Sequence, residues 1–266
     1  MIVIKFGGHA MTDEEGLFAR AVQGAIDLGE ECVIVHGGGP QIDSALKAAK
    51  IEPQFIGGYR VTSPQVFNIV QSVLSGQVLR SVVAHLRHAG INAVGLTGRD
   101  GGLLIAKKLT QLLDGSVADL GQVGEVVHVD TAILDALISA GFVPVISSVA
   151  VEGDENNEES RVGLNVNADL AAAAIAGAMQ ATSLIFMTDV PGIYRNWPDT
   201  SSLITSISVT ELRAIKNQFS DGMAPKVQAC LNAIDAGALS VRVIDGKDPA
   251  AFVFALRGIG GTVVIK

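Results

Sequence analysis

With 266 residues, 48% hydrophobic and 17% charged, the chain can bury a sizeable core as one large domain or two closely packed lobes. A formal net charge of -8 and a pI near 5.1 oppose binding to nucleic acid, which calls for a basic stripe, so small molecules or other proteins are the expected partners. The longest apolar run, residues 170–179, falls short of the roughly 20 residues of a membrane span, and the first residues carry no basic leader, so a cytoplasmic protein is expected.

In chain order, short β-branched runs alternate with helical stretches: a strand over residues 2–6, a helix from Asp13, a strand over 33–35 and a helix from Gln41. This alternation predicts a parallel sheet with helices on its faces. Thr12 and Glu15 are spaced as a capping box, and Leu17, Phe18, Ala21, Val22, Ala25 and Ile26 share one face of the first helix. Residues 64–88 read either as one long helix with Pro64 in its first turn or as two helices broken at Gly76. The unbroken form is longer than a covering helix needs and points to a dimer interface.

Further strands are predicted over 93–96, 103–106, 143–149, 184–187, 241–244 and 263–265, and further helices over 131–140, 168–180, 209–218, 224–236 and 249–256. Residues 153–160 carry four acidic side chains and no apolar period, which fits a solvated loop or hairpin. Cys32 and Cys230 stand in apolar surroundings without metal-ligand spacing and read as reduced core thiols.

Two glycine turns follow predicted strands: Lys5-Phe6-Gly7-Gly8 and His36-Gly37-Gly38-Gly39-Pro40. In a parallel sheet both fall at carboxyl ends, where ligands bind, and glycine lets backbone N–H groups approach an anion closely. Neither turn fits the Walker or dinucleotide fingerprint, so each is a phosphate cradle of another kind or a tight strand-to-helix connection. Lys5, at the end of a buried strand, calls for negative charge beside it. Asn165-Val-Asn167-Ala-Asp169 precedes an alanine-rich helix and reads as an N-cap cluster or as ligand-binding groups. Lys226 stands at a helix start against the dipole, so it faces a ligand anion or is a solvated surface lysine. His36 reads chiefly as a structural neighbour of its turn, and His85 and His88 lack a third ligand, so no metal site is expected.

Together with Gly58-Tyr59-Arg60-Val61-Thr62, Asp119-Leu120-Gly121-Gln122-Val123-Gly124, Thr188-Asp189-Val190-Pro191-Gly192 and Gly222-Met223-Ala224-Pro225-Lys226, these segments resemble, in order, the amino-acid kinase family over essentially the whole chain. The resemblance implies an α/β fold in which helices sandwich an open, mostly parallel sheet. It implies an acidic-substrate lobe with a dimer interface over 1–180 and an ATP-binding lobe over 181–266. The reaction it implies is ATP-dependent phosphorylation of the side-chain carboxylate of N-acetyl-L-glutamate in arginine biosynthesis. A kinase of carrier-linked α-aminoadipate and a non-catalytic sensor are the alternatives.

On this resemblance Lys5 and Lys226 contact the transferring phosphoryl group and Asp169 holds the two lysines. Gly38, Gly39, Arg60 and Asn165 bind the acidic substrate. Gly7, Gly8, Thr188, Asp189, Gly192 and Gly222 serve the phosphates or the nucleotide, with Mg²⁺ held mainly by ATP. A carboxylate acceptor with a pKa of about 4 is already ionised at neutral pH, so no side chain is needed as a base. Where the family often has Asn-Gly-Leu-Arg-Val-Thr-Asp, this chain has Gly57-Gly58-Tyr59-Arg60-Val61-Thr62-Ser63, a departure that bears on substrate choice. Lys5 lies too near the start for the extra helix of arginine-inhibited hexameric members, so a homodimer without strong arginine inhibition is expected.

Overall fold

The computed structural model describes residues 1–7, 16–112, 114–154, 159–219 and 223–266. Strands β1 (Ile2–Phe6) and β2 (Cys32–His36) are buried at every position, as befits strands covered on both faces. Between them α1 (Leu17–Asp27) begins after Gly16, which has a left-handed φ of +64°, and the expected start at Asp13 lies outside the described residues. The Thr12 and Glu15 capping box lies outside the described residues. Next come α2 (Gly39–Ala48), the hairpin of β3 (Phe55–Ile56) and β4 (Tyr59–Arg60), and α3 (Pro64–Gln71).

Helix α3 continues through a π-helical segment, Ser72–Val78, into α4 (Leu79–His88), so the 25-residue helix passes Gly76 unbroken. By length and composition it could cross a membrane, but Phe67, Val70, Leu74, Leu79, Val82 and Leu86 belong to the protein's own buried core. The remaining elements are β5 (Ala93–Thr97), β6 (Leu104–Lys108), β7 (Val123–Val129), α5 (Ala132–Ser139), β8 (Val143–Ser147), β9 (Val149–Gly153), β10 (Glu159–Val166), α6 (Ala168–Ala178), β11 (Ser183–Thr188), β12 (Ser206–Ser208), α7 (Val209–Ile215), α8 (Met223–Ala236), β13 (Ser240–Asp245), α9 (Pro249–Leu256) and β14 (Thr262–Ile265).

Eight strands form one sheet in the order β12-β14-β13-β11-β1-β2-β8-β5. It is parallel except that β14 meets β13 antiparallel, which reverses β14 and its parallel neighbour β12. Because β1 pairs with β11, the sheet is continuous across residue 180. A second unit, β10-β7-β6-β9, closes into a small barrel. The single strand expected over 143–149 is therefore two, with β8 in the large sheet and β9 in the barrel. Gly153 of β9 stands opposite Glu159 of β10 in an antiparallel pair, and residues 155–158 of the acidic stretch lie outside the described residues.

Strand alternation sorts the core into two faces. Val3, Val35, Leu184 and Phe186 pack with the apolar residues of α6 and α8, while Ile2, Ile4, Phe6, Ile34 and Ile185 pack with α1, α2, α9 and the long helix. Lys5 is two residues beyond Val3 and therefore projects toward the α6 face, where Asp169 lies in the first turn.

Candidate active site

The carboxyl ends of β1 and β2 open onto a cleft of about 300 Å³, lined among others by Gly7, the Gly37-Gly38-Gly39 turn, Arg60 and Asn165. Lys5 and Asp169 line the same cleft. Lys5 Nζ lies 2.9 Å from Asp169 Oδ1, and Lys226 Nζ, from the first turn of α8, lies 3.1 Å from Asp169 Oδ2. The side chains of Lys5 and Asp169 are 10% and 9% exposed and that of Lys226 is 23% exposed.

Burial alone pushes the Asp169 carboxyl up, but the charges and hydrogen bonds of Lys5 and Lys226 outweigh it and hold the group at about 2. Two ammonium groups sharing one carboxylate leave a net charge of about +1 in a desolvated corner, a standing demand for an anion. Backbone capping supports the arrangement. Asn167 Oδ1 accepts from Asp169 N at 2.8 Å and Leu170 N at 3.3 Å, so α6 is capped without using the Asp169 side chain.

Arg60 is buried although its strand is only two residues long. Its Nη1 lies 2.7 Å from Asp43 Oδ1 on α2, and its guanidinium sits 4.6 Å from the centre of the Phe55 ring. Held from two sides, it can present its remaining N–H groups as a fork for a carboxylate. The next turn is anchored by Thr62, which is fully buried. Thr62 N donates to Leu120 O at 2.9 Å and Gln122 N donates to Thr62 O at 2.6 Å. Gly121, at φ +69°, permits this pairing, because a Cβ there would run into the Thr62 carbonyl. Asn165 Nδ2 in turn donates to Thr62 Oγ1 at 3.2 Å.

The π-helical segment presses on the glycine turn. A Cβ on Gly38 would stand 2.8 Å from Leu74 Cδ2 and 3.2 Å from Val78 Cγ2, whereas one on Gly39 would meet nothing within 4 Å. A Cβ on Gly7 would stand 2.7 Å from Lys5 Nζ, so the bare backbone lets the ammonium fold across it. His36 is fully buried and donates from Nδ1 to Gly37 O at 2.8 Å, and burial pushes it down to about 4, so it is neutral at physiological pH.

Thr188, Asp189 and Gly192 are not among the residues lining this cleft. The Thr188 hydroxyl donates to Val190 O at 2.8 Å and Asp189 is half-exposed, 3.9 Å from Lys247. Gly192 packs so closely on Thr262 that a Cβ would stand 2.5 Å from its Oγ1. Gly8 and Gly222 lie outside the described residues. Sequence reasoning gave no role to Asp43, Thr62, Leu74 or Ser148. Asp43 adjoins Ile42 on an amphipathic helix and reads as a solvated face, and Thr62 carried no signal beyond its place in a motif.

The sequence pattern of the amino acid kinase family matches residues 1–245. The acetylglutamate kinase of Paenarthrobacter aurescens (strain TC1) is 46% identical over 272 residues, covering 99% of this chain and 86% of that protein. Among solved structures, smu.665 from Streptococcus mutans UA159 superposes with a TM-score of 0.81 at 27% identity, covering 99% of this chain and 98% of the other. Carbamate kinase from Giardia lamblia shares the fold, with a TM-score of 0.73 at 19% identity over 100% of this chain and 98% of its own.

Proposed function

The chain belongs to the amino acid kinase family, and from that premise we propose how its cleft performs the reaction. The protein is a phosphotransferase that uses ATP to phosphorylate the side-chain carboxylate of N-acetyl-L-glutamate, a step of arginine biosynthesis. The carrier-linked and sensor alternatives draw no support from the relatives it matches.

One carboxylate oxygen attacks the γ-phosphorus, the bond to the bridging oxygen of the β-phosphate breaks, and ADP leaves; no proton has to move. The observation that carries the assignment is the Lys5–Asp169–Lys226 triad. We assign Lys5 and Lys226 to the transferring phosphoryl group, where they neutralise charge shared between attacking and leaving oxygens. Asp169 is their spacer, holding two like charges side by side that would otherwise separate. Backbone N–H groups of Gly38 and Gly39 meet the substrate end of the phosphoryl group. Arg60 takes the other carboxylate of the substrate and Asn165 its α-substituents. Gly7 and Gly8 serve the phosphates, and Thr188, Asp189, Gly192 and Gly222 shape the nucleotide side within residues 181–266.

Mg²⁺ is assigned to the nucleotide phosphates. The working form is taken to be a cytoplasmic homodimer joined through the long helix. Hydroxylamine trapping of the acyl phosphate tests the assignment with N-acetyl-L-glutamate, glutamate, free and N-acetylated α-aminoadipate, and aspartate. Strong preference for N-acetyl-L-glutamate is expected. Trapping with none of them, or equally with the longer acid, would overturn it.

A further inference from the structure

Thr62 lies beneath the cleft, fully buried, and its hydroxyl oxygen stands between two groups assigned to substrate. It donates to the backbone carbonyl of Arg60 at 2.8 Å. A carbonyl can only accept, so the single hydroxyl proton is committed there, and toward Asn165 the same oxygen can only accept. The Asn165 amide must therefore turn its NH₂ group to Thr62, where Nδ2 is observed at 3.2 Å. This fixes the polarity of a group that a ligand could otherwise rotate. Among the described residues no donor is recorded at Asn165 Oδ1, which leaves that oxygen and the second Nδ2 proton for a ligand in the cleft.

We infer that Thr62 is a positioning residue: by orienting the Asn165 amide it presents a fixed acceptor, Oδ1, that selects substrates carrying an N–H on the α-carbon. The inference rests on the N-acetyl-L-glutamate reading. It assigns selectivity for an α-amide to a side chain that does not itself face the substrate. In place of an amide, an ester would set its alkoxy oxygen against Oδ1 with no proton between them.

The test compares kcat/KM for N-acetyl-L-glutamate with that for its ester isostere, 2-acetoxyglutarate of the same configuration. The unaltered enzyme is expected to favour the amide by about tenfold or more, the loss for an unpaired acceptor. In Thr62→Val the hydroxyl is gone, the amide can turn over, and the preference falls toward unity through KM. Thr62→Ser keeps the hydroxyl and the preference. An unchanged ratio in Thr62→Val, or an equal loss with both substrates, would overturn the inference. The side-chain NH₂ resonance of Asn165, identified by its loss in Asn165→Asp, reports the bond without substrate. It should move in Thr62→Val and stay in Thr62→Ser, and an unmoved signal in Thr62→Val also overturns the inference. Failure of the unaltered chain to turn over either substrate would count against the proposed reaction instead, with the NH₂ signal still deciding whether Thr62 orients Asn165.

Discussion

Replacing Asp169 by Asn removes one charge and almost no volume, so its effect isolates the electrostatics of the triad. The carboxyl is held at about 2 against an ordinary 3.8. A depression of about 1.8 at about 1.4 kcal/mol per unit is worth about 2.5 kcal/mol of stability. Stranding two buried ammonium groups can raise the loss toward about 3–5 kcal/mol. For a chain of this size the smaller figure corresponds to about 5–10 °C in Tm. Because the folded pKa lies below the unfolded one, the contribution is fully present above about pH 4 and is lost as pH falls through about 2. Thermal unfolding of both proteins from pH 7 to pH 2 should therefore show a gap that narrows only at the acid end. A constant gap, or none at neutral pH, would refute the account of Asp169 as a carboxylate stabilised by two lysines.

Lys226→Ala should cut kcat by about 10²–10³-fold, because the lost donor acts where charge develops. It should cost stability only about 1 kcal/mol, since Asp169 remains paired with Lys5 at 2.9 Å; near-normal turnover would remove Lys226 from the mechanism. Gly39→Ala should unfold within about 0.5 kcal/mol of the unaltered chain, as nothing lies within 4 Å of the new methyl. If the backbone there touches ligand, kcat/KM in the same variant should drop about tenfold or more, and full activity would place the ligand elsewhere. Light scattering should return twice the chain mass of 27.5 kDa, and a monomeric or hexameric mass would exclude the proposed homodimer.

What could be read from the sequence followed from strong periodicity. β1, β2 and β11 are apolar runs bounded by turns, and the position of Lys5 two residues after Val3 already set its face. What escaped had weak periodicity. Gly124, Glu125 and His128 interrupt β7, and the polar residues of β10 hide its pairing in the barrel. The two-residue strands of the Arg60 hairpin are too short to show alternation, and Phe55 and Ile56 are exposed, so hydrophobicity does not mark them as core. The π-helical segment also escaped, since α- and π-turns draw on the same residues; the backbone closeness of Gly38 to Leu74 is visible only in three dimensions.

The open alternatives at residues 165–169 are compatible because they use different atoms. Capping consumes Asn167 Oδ1, leaving the Asp169 carboxylate to the lysines, and Asn165 engages Thr62 with its NH₂ group. The first turn of α6 also places Asp169 at the positive end of the helix, which favours its ionised form before any lysine arrives. That stabilised carboxylate in turn makes tolerable a lysine at the start of α8, where the helix dipole alone opposes it. The local reading of each motif was therefore a condition of the functional one: a capped α6 fixes the single anion around which two cations gather, and the charge they leave unmatched suits a phosphoryl group.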